Sequence, residues 1–232
     1  MHLLTGNILK RLENDMDREL TREEKRIYDG IMFSPGDPEL VALKLKAHNL
    51  STDYSMTHED EYEKRKAILQ ELIGELGENV RVQGPIFFHY GCHTKLDDGV
   101  FINYGFTCQD DAQVTVGKGV AFGPNCTIVT PLHPMILEER RGGVKDPDGN
   151  VKACWAKPVT IGNYCWIGAN VVICPGVTIG EGCVIGANAV VTRDIPPRTF
   201  AAGNPCRVIR EITEADTMKN HPEILGDCTV TV

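Results

Sequence analysis

Three stretches of the sequence carry side chains that could move a proton, and each contains a histidine or a pair of aspartates. They are His89 in FFHYG, the pair Asp110–Asp111 in CQDDA, and His133 in TPLHPM. An imidazole with a reference pKa of about 6.5 can take a proton from a hydroxyl near neutral pH. A carboxylate can accept hydrogen bonds from two hydroxyl groups. If the fold brings these stretches together, they could perform general acid–base chemistry.

The elements that hold these stretches belong to a repeat of six residues, which is most regular between residues 159 and 192. The apolar residues that define it are Ile161, Ile167, Ile173, Ile179, Ile185 and Val191, each preceded two residues earlier by Val159, Cys165, Val171, Val177, Cys183 or Ala189. Six residues turn a helix by a net of about 240°, which would scatter the isoleucines, whereas residues two apart in a strand share a face. The repeat therefore predicts a mainly β fold, a parallel β-helix whose coils have three short sides and about 18 residues.

Irregularities in this repeat place the three polar stretches at one corner of the coil. The spacing widens from six to eight residues after Phe88 and after Cys108, and the pattern is lost between Ile128 and Val159. Phe88, Cys108 and Ile128 are 20 residues apart, which is one coil plus the two extra residues. Because successive coils lie about 4.8 Å apart, we expect the polar stretches to stack along one edge. Loops stacked on a rigid scaffold predict a functional site there.

The charge and cysteine content argue against several classes of protein. The formal net charge of −8 is not typical of proteins that bind nucleic acid or anionic membranes. No apolar run approaches the length of a membrane span, and the N-terminus lacks the apolar core of a signal peptide. The nine cysteines form no CxxC pair. We therefore expect a cytoplasmic protein without disulfides, without a zinc site and without a required metal.

Residues 1–79 carry helix signals instead of the six-residue repeat. Thr21 with Glu24 is a capping-box pattern, and Asp37 precedes a first-turn proline. An apolar helical stripe that ends at Gly77 predicts a helix packed on the open edge of the first coil. A helix that binds a partner protein is the less favoured alternative.

The chain is thus expected to have three regions. They are a helical region at 1–79, a β-helix at 80–192 with an inserted loop at 133–157, and an extended C-terminal segment and tail at 193–232. The consecutive prolines Pro196 and Pro197 are expected to prevent another rung, so that the chain leaves the coil there. The charge-rich run 10–25 is expected to be a solvated face.

The motifs at both ends of the repeat resemble those of one family. The segment WIGANVVICPGVTIGEGCVIGANAVVTRDIPP, followed by AAGNPCRVIREI, closely resembles the galactoside and maltose O-acetyltransferases of the hexapeptide-repeat superfamily. EKRIYDGIMF, NVRVQGPIFFHYG, INYGFTCQDDA and the His-Pro of the interrupting loop match that family in the same order. The resemblance covers roughly residues 22–213. It implies a left-handed coil, a homotrimer with active sites between subunits, and transfer of an acetyl group from acetyl-CoA to a sugar hydroxyl.

The resemblance also assigns roles at the reacting centre. His133 matches the family's general base, and Asn103 matches an asparagine that binds substrate or stabilises the transition state. Asp111 matches the aspartate that accepts sugar hydroxyls. His89 stands where galactoside-type members have a small hydroxyl residue that contacts sugar. We therefore expect His133 and Asn103 to be catalytic, and His89, Asn103 and Asp111 to bind the acceptor.

A further set of residues matches positions that contact coenzyme A in the family. These are Trp166, Ala169, Ala187, Thr192, Arg193, Arg207 and Arg210. The backbone N–H of Ala169 is implied as the donor to the tetrahedral oxyanion. Small side chains at Ala169 and Ala187 suit the pantetheine arm, and arginine suits phosphate oxygens. Trp166 is expected to stiffen the wall of the active site.

The acceptor remains open at this point. The loop 134–157 is longer than in the galactoside-type relatives, and such loops line the acceptor pocket. The candidates are a galactoside, maltose or a glucose-like sugar, with a hydroxylated antibiotic or serine as alternatives. A catalytically silent trimeric scaffold is a third hypothesis. Metal-dependent catalysis through His89 and His93 is the least favoured.

Overall fold

The computed structural model describes residues 19–231, which form a three-sided prism of stacked short strands with helices at one end. Three parallel sheets make the sides of the prism. In each sheet the strands follow one another along the axis of the prism, and one further strand is added antiparallel at the end of the second sheet. The predicted mainly β fold, a parallel β-helix, is confirmed. Its hand stays an implication of the resemblance.

The strands are short, as a six-residue repeat requires. Those of the first sheet are β1 (Glu75–Leu76), β4 (Thr94–Leu96), β7 (Val114–Val116), β12 (Val159–Ile161) and β15 (Thr178–Ile179). The second sheet contains β2 (Arg81–Val82), β5 (Phe101–Ile102), β8 (Ala121–Phe122), β13 (Trp166–Ile167), β16 (Val184–Ile185), β18 (Thr199–Ala202) and β19 (Arg207–Glu211). The third sheet contains β3 (Ile86–Phe88), β6 (Phe106–Gln109), β9 (Thr127–Val129), β14 (Val172–Ile173) and β17 (Val190–Val191). A separate hairpin pairs β10 (Pro131–Leu132) with β11 (Trp155–Ala156).

The core of the prism is the apolar ladder that the repeat predicts. Its isoleucines and the apolar residues two positions before them are almost fully buried and form one continuous cluster. Phe88 pairs with Cys108, and Cys108 pairs with Ile128. The next partner of Ile128 is Ile173, so the long insertion leaves the stacking of the third sheet intact. This register confirms that the three interruptions share one corner.

Within residues 19–231, four α-helices lie outside the prism: α1 (Arg22–Tyr28), α2 (Pro38–Ser55), α3 (Tyr62–Leu72) and α4 (Pro222–Leu225). The capping box of Thr21 and Glu24 and the cap at Asp37 are present as predicted. The predicted end at Gly77 is wrong, because α3 ends at Leu72 and Glu75–Leu76 already pair with β4 as the first rung. A periodic apolar stripe continued from the helix into this strand, which concealed the boundary.

Helix α2 covers the open edge of the prism and supplies it with hydrogen-bond partners. Strand β3 has β6 on one side, and on the other side two serines of α2 accept its backbone N–H groups. Ser51 Oγ accepts from Phe88 N at 3.1 Å, and Ser55 Oγ accepts from Ile86 N at 3.1 Å. Tyr54 Oη donates to the carbonyl oxygen of Val82 at 2.7 Å. The predicted packing of the apolar stripe on the prism is confirmed, since Leu69, Leu72 and Ile73 belong to the core cluster. The hydrogen bonds to the open edge come instead from α2, to which the sequence patterns did not assign this role.

Two expectations about the ends of the chain are wrong. The prolines Pro196 and Pro197 do not end the coil, because Ile195 bridges to Ile179 and β18 pairs in parallel with β16. The prolines lie between these paired segments, at a corner, where a missing backbone N–H removes no rung of the ladder. The run 10–25 is not a solvated face throughout its described part, since Glu23 and Glu24 are buried. Residues 10–18 of that run lie outside the described residues.

All nine cysteines are free, and six of them are fully or almost fully buried. Burial raises the pKa of several of these thiols, among them Cys126 and Cys165 to about 11. In the part of the chain from residue 19 to residue 231, no helix is long and apolar enough to cross a membrane.

Candidate active site

The corner that follows the third sheet carries the three polar stretches one above another. Tyr90 N donates to Asp110 Oδ1 at 2.8 Å, and Thr130 N donates to the carbonyl oxygen of Gln109 at 3.1 Å. Ala112 N in turn donates to Thr130 Oγ1 at 2.9 Å. Hydrogen bonds thus tie the loop of each coil to the loop of the next. The loops that carry His89, Asp111 and His133 form one column, as the spacing predicted.

His133 is exposed at the start of the long insertion, and one of its ring nitrogens is held. It follows β10, which pairs with β11, so that Leu132 lies opposite Trp155. His133 Nδ1 lies 3.0 Å from the carbonyl oxygen of Ala153, just before β11. A carbonyl oxygen can only accept, so Nδ1 carries the proton in the neutral ring. The other nitrogen, Nε2, is then free to take a proton from a ligand.

The two aspartates of the middle loop have different environments. Asp110 is fully buried and accepts hydrogen bonds from Tyr90 N and Thr94 Oγ1, both at 2.8 Å. Asp111 is 3 % exposed, and its Oδ2 has no hydrogen-bond partner among residues 19–231. Burial and the nearby charge of Asp110 raise the pKa of Asp111 to about 7, against the weaker opposite effects of His93 and Lys44. Asp110 therefore stabilises the corner through its hydrogen bonds, whereas Oδ2 of Asp111 accepts none from the described residues.

A second polar atom at this corner also lacks a partner within the described residues. The hydroxyl of Tyr90 is buried without a hydrogen bond, and burial and the charge of Asp111 raise its pKa above the ordinary value. Buried polar groups are nearly always paired, and leaving one unpaired costs about 1–3 kcal/mol. Tyr90 thus offers a donor and Asp111 an acceptor at this corner, and both atoms lie beneath the surface of the single chain.

His89 is half-buried and pairs with a histidine that the sequence reasoning missed. Its Nδ1 lies 3.4 Å from Nε2 of His48 on α2, and the rings of His48 and Phe87 are in contact. Burial lowers the pKa of His89 to about 4, with further lowering by Lys44 and His48. Both rings are thus neutral near pH 7, since burial also lowers the pKa of His48. Nothing in the sequence around His48 indicates this pairing, because the two histidines are 41 positions apart.

Asn103, Ala169 and Ala187 lie at a different corner, the one that precedes the third sheet. Asn103 follows β5, and its Oδ1 accepts a hydrogen bond from Tyr104 N at 2.9 Å, a turn that an asparagine commonly makes. Ala169 follows β13, and its carbonyl oxygen accepts from Asn188 N at 2.8 Å. No acceptor within residues 19–231 takes the N–H of Ala169. The structure therefore stacks these three residues together and apart from His133.

The remaining predicted cofactor residues are all exposed. Trp166 is 60 % exposed on the outer face of the second sheet, where it pairs with Val184. Thr192 and Arg193 follow β17, so they lie at the corner of His133, on a later coil.

Arg207 and Arg210 both lie on β19, but among the described residues only the guanidinium of Arg210 has an acidic partner. The guanidinium of Arg210 is held by both carboxylate oxygens of Asp216, at 2.6 and 2.8 Å. Arg207 Nη1 donates to the neighbouring carbonyl oxygen of Cys206 at 2.8 Å. Of the two, Arg207 is thus the one without an acidic partner in the described structure.

Comparisons with family models match two segments of the chain. Residues 26–77 match the maltose acetyltransferase hexapeptide capping motif, and residues 158–193 match the bacterial transferase hexapeptide of six repeats. The galactoside O-acetyltransferase of Escherichia coli (strain K12) is 40% identical over 192 residues, which are 83% of this chain and 90% of the relative. The chain belongs to the galactoside and maltose O-acetyltransferase family. The predicted resemblance is confirmed, and the protein is an acetyltransferase.

Solved structures give the same result for this acetyltransferase. A maltose O-acetyltransferase from Clostridium difficile 630 is 37% identical and superimposes with a TM-score of 0.77, covering 84% of this chain and all of the other. A galactoside acetyltransferase in complex with coenzyme A is 36% identical, with a TM-score of 0.76 over 92% of this chain and all of the other.

The acetyltransferase has one further buried cluster of possible metal ligands next to the site. Among residues 19–231, Glu24, Cys92 and His93 bring one ligand atom each to within 4.8 Å of one another. His93 Nδ1 contacts the carbonyl oxygen of Asp110 at 2.9 Å, and its Nε2 contacts Glu24 Oε1 at 3.1 Å. Burial alone would lower the pKa of His93, but hydrogen bonds to Cys92 and Glu24 raise it well above the ordinary value. The contact of His93 with Glu24 joins α1 to the corner.

Proposed function

We propose that this acetyltransferase transfers an acetyl group from acetyl-CoA to a hydroxyl of a saccharide, with His133 as the general base. The observation that carries this proposal is the pairing of His133 with the carbonyl oxygen of Ala153. It leaves Nε2 of an exposed imidazole free at the corner where Asp111 and Tyr90 lack partners. A free ring nitrogen beside unsatisfied polar groups suits a polyhydroxylated acceptor.

The chemistry follows from the weakness of a sugar hydroxyl as a nucleophile. His133 Nε2 takes the hydroxyl proton as the oxygen attacks the thioester carbonyl carbon of acetyl-CoA. A tetrahedral oxyanion forms, to which the N–H of Ala169 is a free donor. The carbon–sulfur bond then breaks, and the imidazolium returns the proton to the sulfur of coenzyme A. The products are an acetyl ester and the free thiol, so the histidine regains its starting state. A base of this kind contributes about 10²–10⁴-fold.

The acceptor is proposed to lie between Asp111 and the pair of His48 and His89. The neutral ring of His89 can exchange one hydrogen bond with a sugar hydroxyl, and Asp111 can accept from another. Coenzyme A is proposed to lie along the corner of Ala169 and Ala187, near Trp166. Thr192, Arg193, Arg207 and Arg210 are the proposed contacts for its polar groups. Support comes from the relative of known structure that was solved with coenzyme A.

The site is proposed to be shared between subunits of a homotrimer. Asn103 and Ala169 lie at one corner, whereas His133 and Asp111 lie at the next, so a site that uses all four needs two chains. The cyclic arrangement of three such prisms would form three equal sites. The free cysteines of the core also fit a reducing compartment, and we propose the cytoplasm.

An acceptor screen with acetyl-CoA and detection of the released thiol tests the function. It should span galactosides, glucosides, maltose, serine and hydroxylated antibiotics, and we expect turnover with a saccharide. His133→Ala should reduce that turnover by at least about 10²-fold while coenzyme A binding stays unchanged. Turnover with serine or an antibiotic alone would contradict the proposed acceptor, and full activity of His133→Ala would contradict the proposed base.

A further inference from the structure

The carbonyl oxygen that holds His133 belongs to a segment that is fixed from the N-terminal region. Ala153 accepts from His133 Nδ1 through its carbonyl oxygen, while its own N–H donates to the carbonyl oxygen of Phe33 at 3.1 Å. Phe33 N donates to the carbonyl oxygen of Cys154 at 2.8 Å, which completes an antiparallel bridge. Both Phe33 and Cys154 are buried. The partner of the proposed base is thus aligned by the strand-like segment after α1.

The residue before Ala153 anchors the same segment through buried charges. Lys152 is 3 % exposed, and its Nζ lies 2.6 Å from Glu23 Oε1 on α1 and 3.3 Å from Asp146 Oδ2. The other oxygen of Glu23 accepts from Ser34 N at 2.7 Å, next to Phe33. Asp146 also lies 3.5 Å from Arg22. Glu23 therefore holds both sides of the bridge, the 152–154 side through Lys152 and the 33–34 side through Ser34.

The turn that carries Asp146 is itself rigid. Asn150 N donates to Asp146 Oδ1 at 2.8 Å, and Lys152 N donates to the carbonyl oxygen of Val144 at 2.9 Å. Burial would raise the pKa of Asp146, but hydrogen bonds from Asn150 and Lys152 outweigh it and lower the pKa to about 2. Asp146 is thus charged across the neutral range and pairs with Lys152 throughout it.

We propose that the buried ion pair of Glu23 and Lys152 is a positioning device for the proposed base. It sets where the Ala153 carbonyl oxygen lies, and thereby the tautomer and direction of the His133 ring. This inference rests on the proposed function of His133. Glu23 and Lys152 are positioning residues, because their described partners are groups of the protein. Buried groups behind a reacting side chain commonly tune it in this way, and a displacement of about 1 Å can cost about 10²-fold in rate.

The pair also explains why an acidic residue of α1 is buried. A charge removed from water needs a partner and further hydrogen bonds. Glu23 has Lys152 on one oxygen and Ser34 N on the other, so both oxygens are satisfied. If the ion pair only stabilised the fold, apolar side chains of similar volume would do so equally well. Charge-assisted bonds add direction, which is what the alignment of a carbonyl oxygen requires.

The test compares three variants with one matched control. Lys152→Met removes the charge and keeps most of the length, Glu23→Gln removes the opposite charge, and the double variant leaves neither charge unpaired. Lys118→Met is the control, since Lys118 forms a 3.1 Å ion pair with Asp98 on the surface of the prism. Each is assayed for kcat and for both KM values. The tautomer and the titration of the His133 ring are followed by ¹⁵N NMR, with its signals assigned through their loss in His133→Ala.

The expected result is a kcat reduced by about 10- to 10²-fold in Lys152→Met and in the double variant, with the KM for acetyl-CoA nearly unchanged. The His133 ring should become a mixture of tautomers, and the acidic limb of the pH profile of kcat/KM should shift. Lys118→Met should leave all of these unchanged. If Lys152→Met does not fold, the double variant decides by the same readouts.

The proposal is overturned if the folded variants keep both kcat and the His133 tautomer of the parent. Loss of stability alone, without a change in the ring, would equally assign the pair to the fold and overturn it. Failure of the proposed function is a separate outcome. If His133→Ala keeps full activity, His133 is not the base, while the ring spectrum still decides whether Lys152 orients it.

Discussion

Asn103 and Asp111 lie beyond opposite ends of the same strand, β6 (Phe106–Gln109), at two different corners of the prism. Four residues of strand span about 13 Å, so their side chains cannot approach the same reacting atoms within one chain. His133 shares the corner of Asp111, whereas Ala169 shares that of Asn103. This separation is the strongest structural support for a site built from two chains.

Mixed oligomers of two inactive variants should regain activity. In every trimer that contains both His133→Ala and Asn103→Ala chains, one of the three sites should hold an intact His133 from one chain and an intact Asn103 from the next. Co-expression with two tags and tandem purification gives the mixed oligomer, and thiol release measures its turnover. A mixture of His133→Ala with Asp111→Asn is the control and should stay inactive, because those residues share one corner of one chain. No recovery in the first mixture would contradict the shared site.

Ionisation of Asp111 should lower the free energy of unfolding as the pH rises. Its pKa of about 7 in the folded state exceeds the ordinary 3.8, so the folded chain binds the proton more tightly than the unfolded chain. The free energy of unfolding therefore falls as the pH rises from about 4 to about 7, by an amount on the order of 4 kcal/mol. Asp111→Asn should flatten this decline, as followed by urea unfolding at pH 5 and pH 8. An unchanged pH dependence would mean that Asp111 is ionised in the folded protein as in solution.

Replacing His89 should change which acceptor is preferred. His89→Ser removes the imidazole that fills the subsite beside His48 and leaves a small hydroxyl group, so bulkier acceptors gain room. We expect the ratio of kcat/KM for a galactoside to that for the best acceptor of the parent to rise by about 10-fold or more. His58→Ser, at an exposed position on the helical side, is the control. Equal ratios in the parent and His89→Ser would place the acceptor elsewhere.

Arg207 and Arg210 should differ in their effect on the cofactor. Arg207→Ala should raise the KM for acetyl-CoA several-fold with little change in kcat, because it removes binding common to the ground and transition states. Arg210→Ala should have a smaller effect, since Asp216 already holds that guanidinium. Steady-state kinetics with varied acetyl-CoA measure both, and Lys66→Ala serves as a charge-matched surface control. A larger effect at Arg210 would show that Asp216 releases it when the cofactor binds.

The prism and the corner of the site were predictable because their signals are local. A six-residue period specifies which side chains face inward, and extra residues every 20 positions specify one edge. The buried ion pair was not predictable, because Glu23 and Lys152 are 129 positions apart and each alone looks like a surface residue. The sixth coil was missed for a similar reason. A proline interrupts a strand only where the ladder needs a backbone N–H. That Pro196 and Pro197 lie at a corner, where no such N–H is needed, can be seen only in the folded chain.

His48 illustrates the same limit at the site itself. A histidine on an amphipathic helix carries no motif, and its meaning depends on the strand that the helix covers. Ser51 and Ser55 hydrogen-bond α2 to the edge of β3, and this contact brings His48 close to His89. The proposed acceptor subsite thus depends on the docking of α2, although local sequence patterns indicate only a stabilising role for that helix.

The uninterrupted stacking of Ile128 on Ile173 has an evolutionary consequence. The intervening segment leaves and re-enters the prism through the hairpin of β10 and β11, so its length does not affect the stacking of Ile128 on Ile173. Lengthening a loop that is already closed adds little entropic cost, about 0.6 kcal/mol for each doubling. The segment before Lys152 can therefore change in length while the third sheet keeps its register and residues 152–154 keep their contacts with Glu23 and Phe33. The loop proposed to line the acceptor pocket can thus change without a change in the prism.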